Sequence, residues 1–211
     1  MKTSIQTLIA LLMGCSILVN VESAQAATVK TYMTSLSAVK NINKIIVSGN
    51  VKLTLVQDAK ESVKVYDNYY GKNALVQMQG GVLRISSFEK EALAVVVHVN
   101  NLSAVEAFNS SSIKTAGKFK LVNLDVTLHD QASADVTANT VNLYTSVTDQ
   151  ASLKLCGTAD NHTVLLGDLA KLAMTGFSAQ DTALTSVTSK VAVVLPASNK
   201  FEVADFVMIK R

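Results

Sequence analysis

Three aspartates stand in a spaced row. Asp130, Asp149 and Asp168 are nineteen residues apart, with Asn109 twenty-one before the first. If adjacent strands bring such residues together, roughly 4.8 Å separates neighbours. Carboxylates that close repel unless water, a proton or a cation offsets them. Calcium takes oxygen ligands and would suit the ladder. Asx side chains closing turns onto their own backbone explain the same spacing without a metal. Asn109 and Thr188, at the two ends of the row, favour turns, so no metal and no cofactor is assigned. The three aspartates stand as weak candidate ligand contacts.

Other reactive side chains are few. Tyr66, Tyr69 and Tyr70 form the one aromatic cluster, in Val65-Tyr66-Asp67-Asn68-Tyr69-Tyr70-Gly71. Such rings offer an apolar body and a polar handle to a sugar, or they pack on the neighbouring strands. They too are weak candidates for ligand binding. His98, His129 and His162 are 31 and 33 residues apart, without ligand-like spacing, and read as solvated or corner residues. Cys156 reads as a small buried apolar residue. Gly-x-Ser-x-Gly, Walker, His-Glu-x-x-His and Cys-x-x-Cys motifs are all missing, so no catalytic residue is assigned.

The elements that would position these residues follow from the same spacing. Asp-Gln-Ala-Ser occurs at 130–133 and again at 149–152. Two residues after each Asx come Ser111, Ala132, Ala151 and Ala170. Four after come Ile113, Ala134, Leu153 and Leu172; two before come Leu128, Val147 and Leu166. Within a unit, apolar residues recur every two positions, which is the strand period. Eight residues after each Asx comes Gly117, Ala138, Gly157 or Gly176, a second corner.

Nineteen residues bury too little alone, and stacking would give one continuous core. The sequence therefore predicts an all-β, right-handed parallel β-helix or solenoid with coils of about 19 residues. A β-rich opening layer, residues 41–105, would cap or extend it. A β-sandwich is the alternative, since strands every 8–12 residues suit it as well.

Composition sets the outer bounds. The 211-residue chain is 49% hydrophobic and 17% charged, with one Pro and no Trp, which excludes global disorder, collagen and coiled coil. A scattered net charge of +3 gives no footing for nucleic acid. Residues 1–26, with Lys2, the apolar run Leu8–Val21 and Ala24-Gln25-Ala26, read as a secretory signal peptide. A lipid anchor on Cys15 is the minor alternative. No membrane span is expected in the mature chain. Residues 27–40 read as a tether and 41–211 as one domain, with repeats at 106–196 and a C-terminal cap at 197–211. The expected location is periplasmic or cell-surface.

Ile45-Ile46-Val47-Ser48-Gly49, Val51-Lys52-Leu53-Thr54-Leu55-Val56-Gln57 and Gly81-Val82-Leu83-Arg84-Ile85, with the small-residue turns that follow, carry a resemblance. Over roughly residues 41–195 the chain resembles the GIN-type domain, the autotransporter-adhesin head family of secreted and surface proteins in Bacteroidetes-like bacteria. That family's turns usually read Ser-Gly-Ser-Gly; here they read Asn109-Ser110-Ser111-Ser112 and Asp-Gln-Ala-Ser. The resemblance implies a β-helix and an extracytoplasmic role, and brings no catalytic residues.

The expected function is a non-enzymatic surface or periplasmic binding or adhesion module. Its partner would be a cell-surface polysaccharide or a protein, with homo-oligomerisation open. A polysaccharide-active β-helix enzyme and a purely structural envelope scaffold are the alternatives.

Overall fold

The computed structural model describes residues 33–36, 39–66 and 74–187. The signal segment, most of the tether, Tyr69, Tyr70 and the C-terminal cap lie outside the described residues.

The first half of the described chain forms β1 (Met33–Leu36), β2 (Lys44–Gly49), β3 (Val51–Gln57), β4 (Ser62–Tyr66), β5 (Ala74–Gln79), β6 (Val82–Ser87) and β7 (Leu93–Val99). Then follow β8 (Ala104–Ala107), β9 (Ser112–Ala116), β10 (Phe119–Leu128), β11 (Ser133–Val147), β12 (Ser152–Gly167), β13 (Lys171–Ala173) and β14 (Phe177–Val187). Their sequences are rich in Val, Ile, Leu and Thr, residues that suit a pleated, half-buried surface. Burial alternates accordingly. In β7 Leu93, Val95, Val97 and Val99 are buried, while Ala94, Val96 and His98 are half-buried.

All fourteen strands join one sheet. Its main path runs β1-β4-β7-β3-β9-β11-β10-β8-β2-β6-β5, with β12 on β11, and β13 and β14 on β12. β4 runs antiparallel to both β1 and β7. The Gly80-Gly81 turn makes β5 and β6 an antiparallel hairpin. The remaining pairs are parallel.

This corrects the expected right-handed parallel β-helix of about 19-residue coils: the fold is a mixed parallel and antiparallel sheet, curled as a half-barrel. Residues 41–105 carry β2 to β7, which are members of the same sheet as the later strands. The physical reason is plain. A period of two says which face is buried, and parallel and antiparallel strands share it. Strand direction is set by the connections, here the glycine hairpin and the reversals into and out of β4. A single sheet also leaves no second sheet for a sandwich.

The curled sheet encloses the core. Ile45, Val47, Leu53, Leu83, Val97, Ile113, Leu128 and Leu153 are among its fully buried residues. Each such side chain contributes about 1.5–3 kcal/mol over an exposed one. In the long strands the alternation slips once. Val122-Asn123, Val141-Asn142 and Asp160-Asn161 are consecutive exposed pairs, so the inward set shifts by one residue and the strand bends. The pairing ladder skips Val122 opposite Val141 and Asp160 opposite Gln180 at the same level. The bends therefore stack, and they carry a column of side chains out to solvent.

Candidate functional site

Two exposed columns cross the sheet. The first lies at the turns entering β9, β11 and β12. Asn109, Asp130 and Asp149 sit there with φ of 58°, 57° and 56°, the left-handed region that Asn and Asp tolerate better than most residues. The turns close through backbone: Ser111 N–H donates to Phe108 O, Ala132 to His129 O and Ala151 to Thr148 O.

The Asx side chains therefore do something other than the expected closure of their own turns. Asp149 Oδ2 accepts the N–H of Asp130 at 3.0 Å, and Asp130 Oδ2 accepts the N–H of Asn109 at 2.8 Å. Asn109 Oδ1 accepts the N–H of Gly49 at 3.1 Å. Each turn satisfies a donor in the turn beside it. The Asp130 N–H, then the Thr148 hydroxyl, hold the Asp149 carboxyl below the usual carboxylate range.

Asp168 is exposed in the turn after β12, and no bond of this ladder reaches it. Among the described residues no three His, Cys, Asp or Glu side chains converge on a point that could hold a metal.

The second column lies at the bends, and the sequence reading missed it. Asn142 Nδ2 donates to Asn123 Oδ1 at 2.8 Å, and Asn161 Nδ2 donates to Asn142 Oδ1 at 3.0 Å. Asp181 stands in register beyond Asn161. Val122 and Val141 are exposed alongside. The signal was present: three asparagines spaced by nineteen, each preceded by a residue off the inward phase. Following apolar columns alone passes over it.

Two further expectations are corrected. His162 is neither solvated nor at a corner; it is 1% exposed, in register with Leu143 on a core column. Its Nε2 lies 3.0 Å from Thr145 Oγ1, Nδ1 has no partner, and the ring meets Phe177 edge-on. Burial pushes its pKa down. Cys156 is half-buried rather than buried, with Sγ 3.4 Å from Thr175 O.

His129 stacks on Phe108 and reaches Thr148 Oγ1, while His98 pairs with Asp58 at 3.2 Å. The Lys60 N–H and His98 hold the Asp58 carboxyl low. Tyr66 ends β4, half-buried between Met33 and Ala94.

A curled sheet with stacked polar columns on its outside and a filled interior defines a class: a β-rich scaffold that presents an extended surface. The comparisons give it a family. The chain belongs to the family described as "Putative auto-transporter adhesin, head GIN domain", whose model matches residues 41–202. No curated protein matches it.

Among solved structures it is similar to a putative adhesin of Bacteroides fragilis, at 15% identity and a TM-score of 0.65, over 75% of this chain and 77% of that one. A putative adhesin of Parabacteroides merdae matches at 14% and 0.56, over 75% and 78%. A protein of Parabacteroides distasonis described as a putative lipid binding protein matches at 12% and 0.59, over 75% and 79%. At these identities the likeness shows the fold alone. Among the described residues no helix is long and apolar enough to cross a membrane.

Proposed function

We propose that this chain is a non-enzymatic binding or adhesion module that works outside the cytoplasm, secreted or at the cell surface. The observation that carries the reading is the Asn123–Asn142–Asn161 column. Each amide spends one donor or acceptor on its neighbour and keeps others for solvent. Such groups recur at strand spacing, roughly 4.8 Å. A polymer with regularly placed hydroxyls or amides gains one weak contact per level, and linked contacts add up to avidity.

The partner is a cell-surface polysaccharide or an extended protein segment. Asp130 and Asp149 at their turns, and Asp168 in the turn after β12, are proposed as further acceptors, and Tyr66, Tyr69 and Tyr70 as the stacking element for sugar rings. Membership of an adhesin-head family supports the same reading. A lipid tail held inside is not part of it. The interior cavity lined by Leu55, Leu102, Phe119 and Leu124 measures about 10 Å³, space for one water at most.

Glycan and extracellular-protein arrays probed with the wild-type protein test the proposal. The expected result is selective binding that falls in the Asn142→Ala, Asn161→Ala double variant. Binding unchanged in that variant, with its fold intact by circular dichroism, would overturn the amide column as the contact surface. A second variant, Tyr66→Ala with Tyr69→Ala and Tyr70→Ala, tests the stacking element separately.

A further inference from the structure

A cleft of about 530 Å³ opens where the chain enters β2, beside the β3–β4 and β7–β8 connections. That lies within the roughly 300–1,000 Å³ usual for small-molecule sites. Its lining includes Lys40, Asn41, Lys60, Glu61, Asn100 and Asn101. The only carboxylate in the lining is spent on the walls. Both Glu61 oxygens lie 3.3 Å from the Ile42 nitrogen, and Oε1 accepts the Asn100 N–H at 3.4 Å. One side chain thus clamps the segment before β2 to the turn after β7.

The two ammonium groups have no such duty. Neither Lys40 nor Lys60 is ion-paired among the described residues, and both are exposed. The Asn41, Asn100 and Asn101 side chains likewise make no hydrogen bond among the described residues.

We infer that this cleft is a binding site for an acidic sugar unit, a pyranose bearing a carboxylate or a sulfate. An amide presents a donor and an acceptor side by side, which suits a pair of neighbouring hydroxyls. The two lysines supply the counter-charge, as point cations on flexible stems. A bare anion would leave the amides and most of the volume unused. The inference does not need the Asn123–Asn142–Asn161 column, none of whose residues lines the cleft.

Isothermal titration calorimetry of the purified protein tests the inference. The probes are trigalacturonate, a sulfated galacto-oligosaccharide of the same length, uncharged maltotriose and sodium sulfate. One or both anionic oligosaccharides are expected to bind saturably, and the tighter one tells carboxylate from sulfate. Maltotriose and sulfate are expected to bind about tenfold more weakly or worse. The Lys40→Ala, Lys60→Ala double variant should lose about tenfold, and Asn101→Ala should weaken binding further.

Lys171→Ala, at an exposed lysine on β13 outside the cleft lining, should leave this affinity unchanged, which separates the cleft from diffuse positive charge. No saturable binding of either acidic oligosaccharide up to about 10 mM would overturn the inference. So would sulfate binding as tightly as the sugars, or affinity retained in the double-lysine variant.

Discussion

The carboxylate of Asp149 leaves its own turn to accept the backbone N–H of Asp130, nineteen residues earlier, at 3.0 Å. Two jobs fall on one residue: tolerating φ of 56° and supplying that acceptor. Asp149→Asn keeps both, since Asn visits the left-handed region and has an amide oxygen. Asp149→Ala loses both. We expect thermal or urea unfolding to show the alanine variant about 1–2 kcal/mol less stable and the asparagine variant within about 0.5 kcal/mol of wild type. The charge brings a pH signature. The folded carboxyl lies below its unfolded value of 3.8, so its stabilisation is present above that pH and is lost as pH falls through the folded value. Asp149→Asn should lack that component of acid sensitivity.

Gly157 lies within β12, paired with Ala138 of β11. With φ of 113° it lies where L side chains rarely go, and an added Cβ would collide with the carbonyl of Ala138, its register partner. Backbone cannot step aside as a flexible side chain can. Gly157→Ala should cost about 3 kcal/mol or more, read by chemical denaturation. Gly117→Ala shares the positive φ but meets nothing, and should cost about 1–2 kcal/mol. Equal costs at the two sites would refute the steric account.

His162 makes stability depend on pH. Burial holds its folded pKa below the unfolded value of 6.5. In that interval the unfolded chain takes a proton that the folded one refuses. The unfolding free energy should therefore decline as pH drops below about 6.5, and level off once pH is under the folded value. His162→Leu alone leaves the buried Thr145 hydroxyl without its partner, at a cost of about 1–3 kcal/mol. The His162→Leu, Thr145→Val pair removes both polar groups. It should be neutral or stabilising, and should flatten the pH dependence between about 6.5 and the folded value. A double variant that keeps the full slope would sink this assignment.

Glu61 is a structural clamp whatever the cleft binds. Glu61→Ala leaves the Ile42 and Asn100 N–H groups without acceptors. Ile42 is buried, so its donor cannot turn to water freely. Differential scanning calorimetry should show a loss of about 1–2 kcal/mol, and Glu61→Gln should recover part of it through the amide oxygen.

The sequence showed which side chains turn inward but not which way the strands run. Ser111, Ala132 and Ala151 are buried in their column and Leu128 and Val147 in theirs, while Ala170 and Leu166 at the column ends are half-buried; alternation and the nineteen-residue offset both act locally. The turns at Asn109, Asp130 and Asp149 were legible for the same reason, though their left-handed backbone was not. The antiparallel hairpin of β5 and β6 was legible in Gly80-Gly81 between Leu75–Gln79 and Val82–Ser86, whereas the reversal at β4 was not, since it depends on where connections lead. His162 lies two residues before Val164 in the same inward phase, in a column with Leu124 and Leu143, but a histidine in that phase does not by its type declare itself buried. The Asx contacts between turns escaped because a side chain's choice between its own backbone and a neighbour's depends on stacking geometry.

The amide column is a one-way street. Every bond in it points from the later strand to the earlier, Asn161 to Asn142 to Asn123. One end of the street shows a free amide N–H and the other an amide oxygen, on the residue in register with Asp181. A polymer with chemically distinct ends would lie along it in one sense and not the other. The protein would then grip such chains by their heading, and a surface that displays them all root-down would orient every copy of the protein alike.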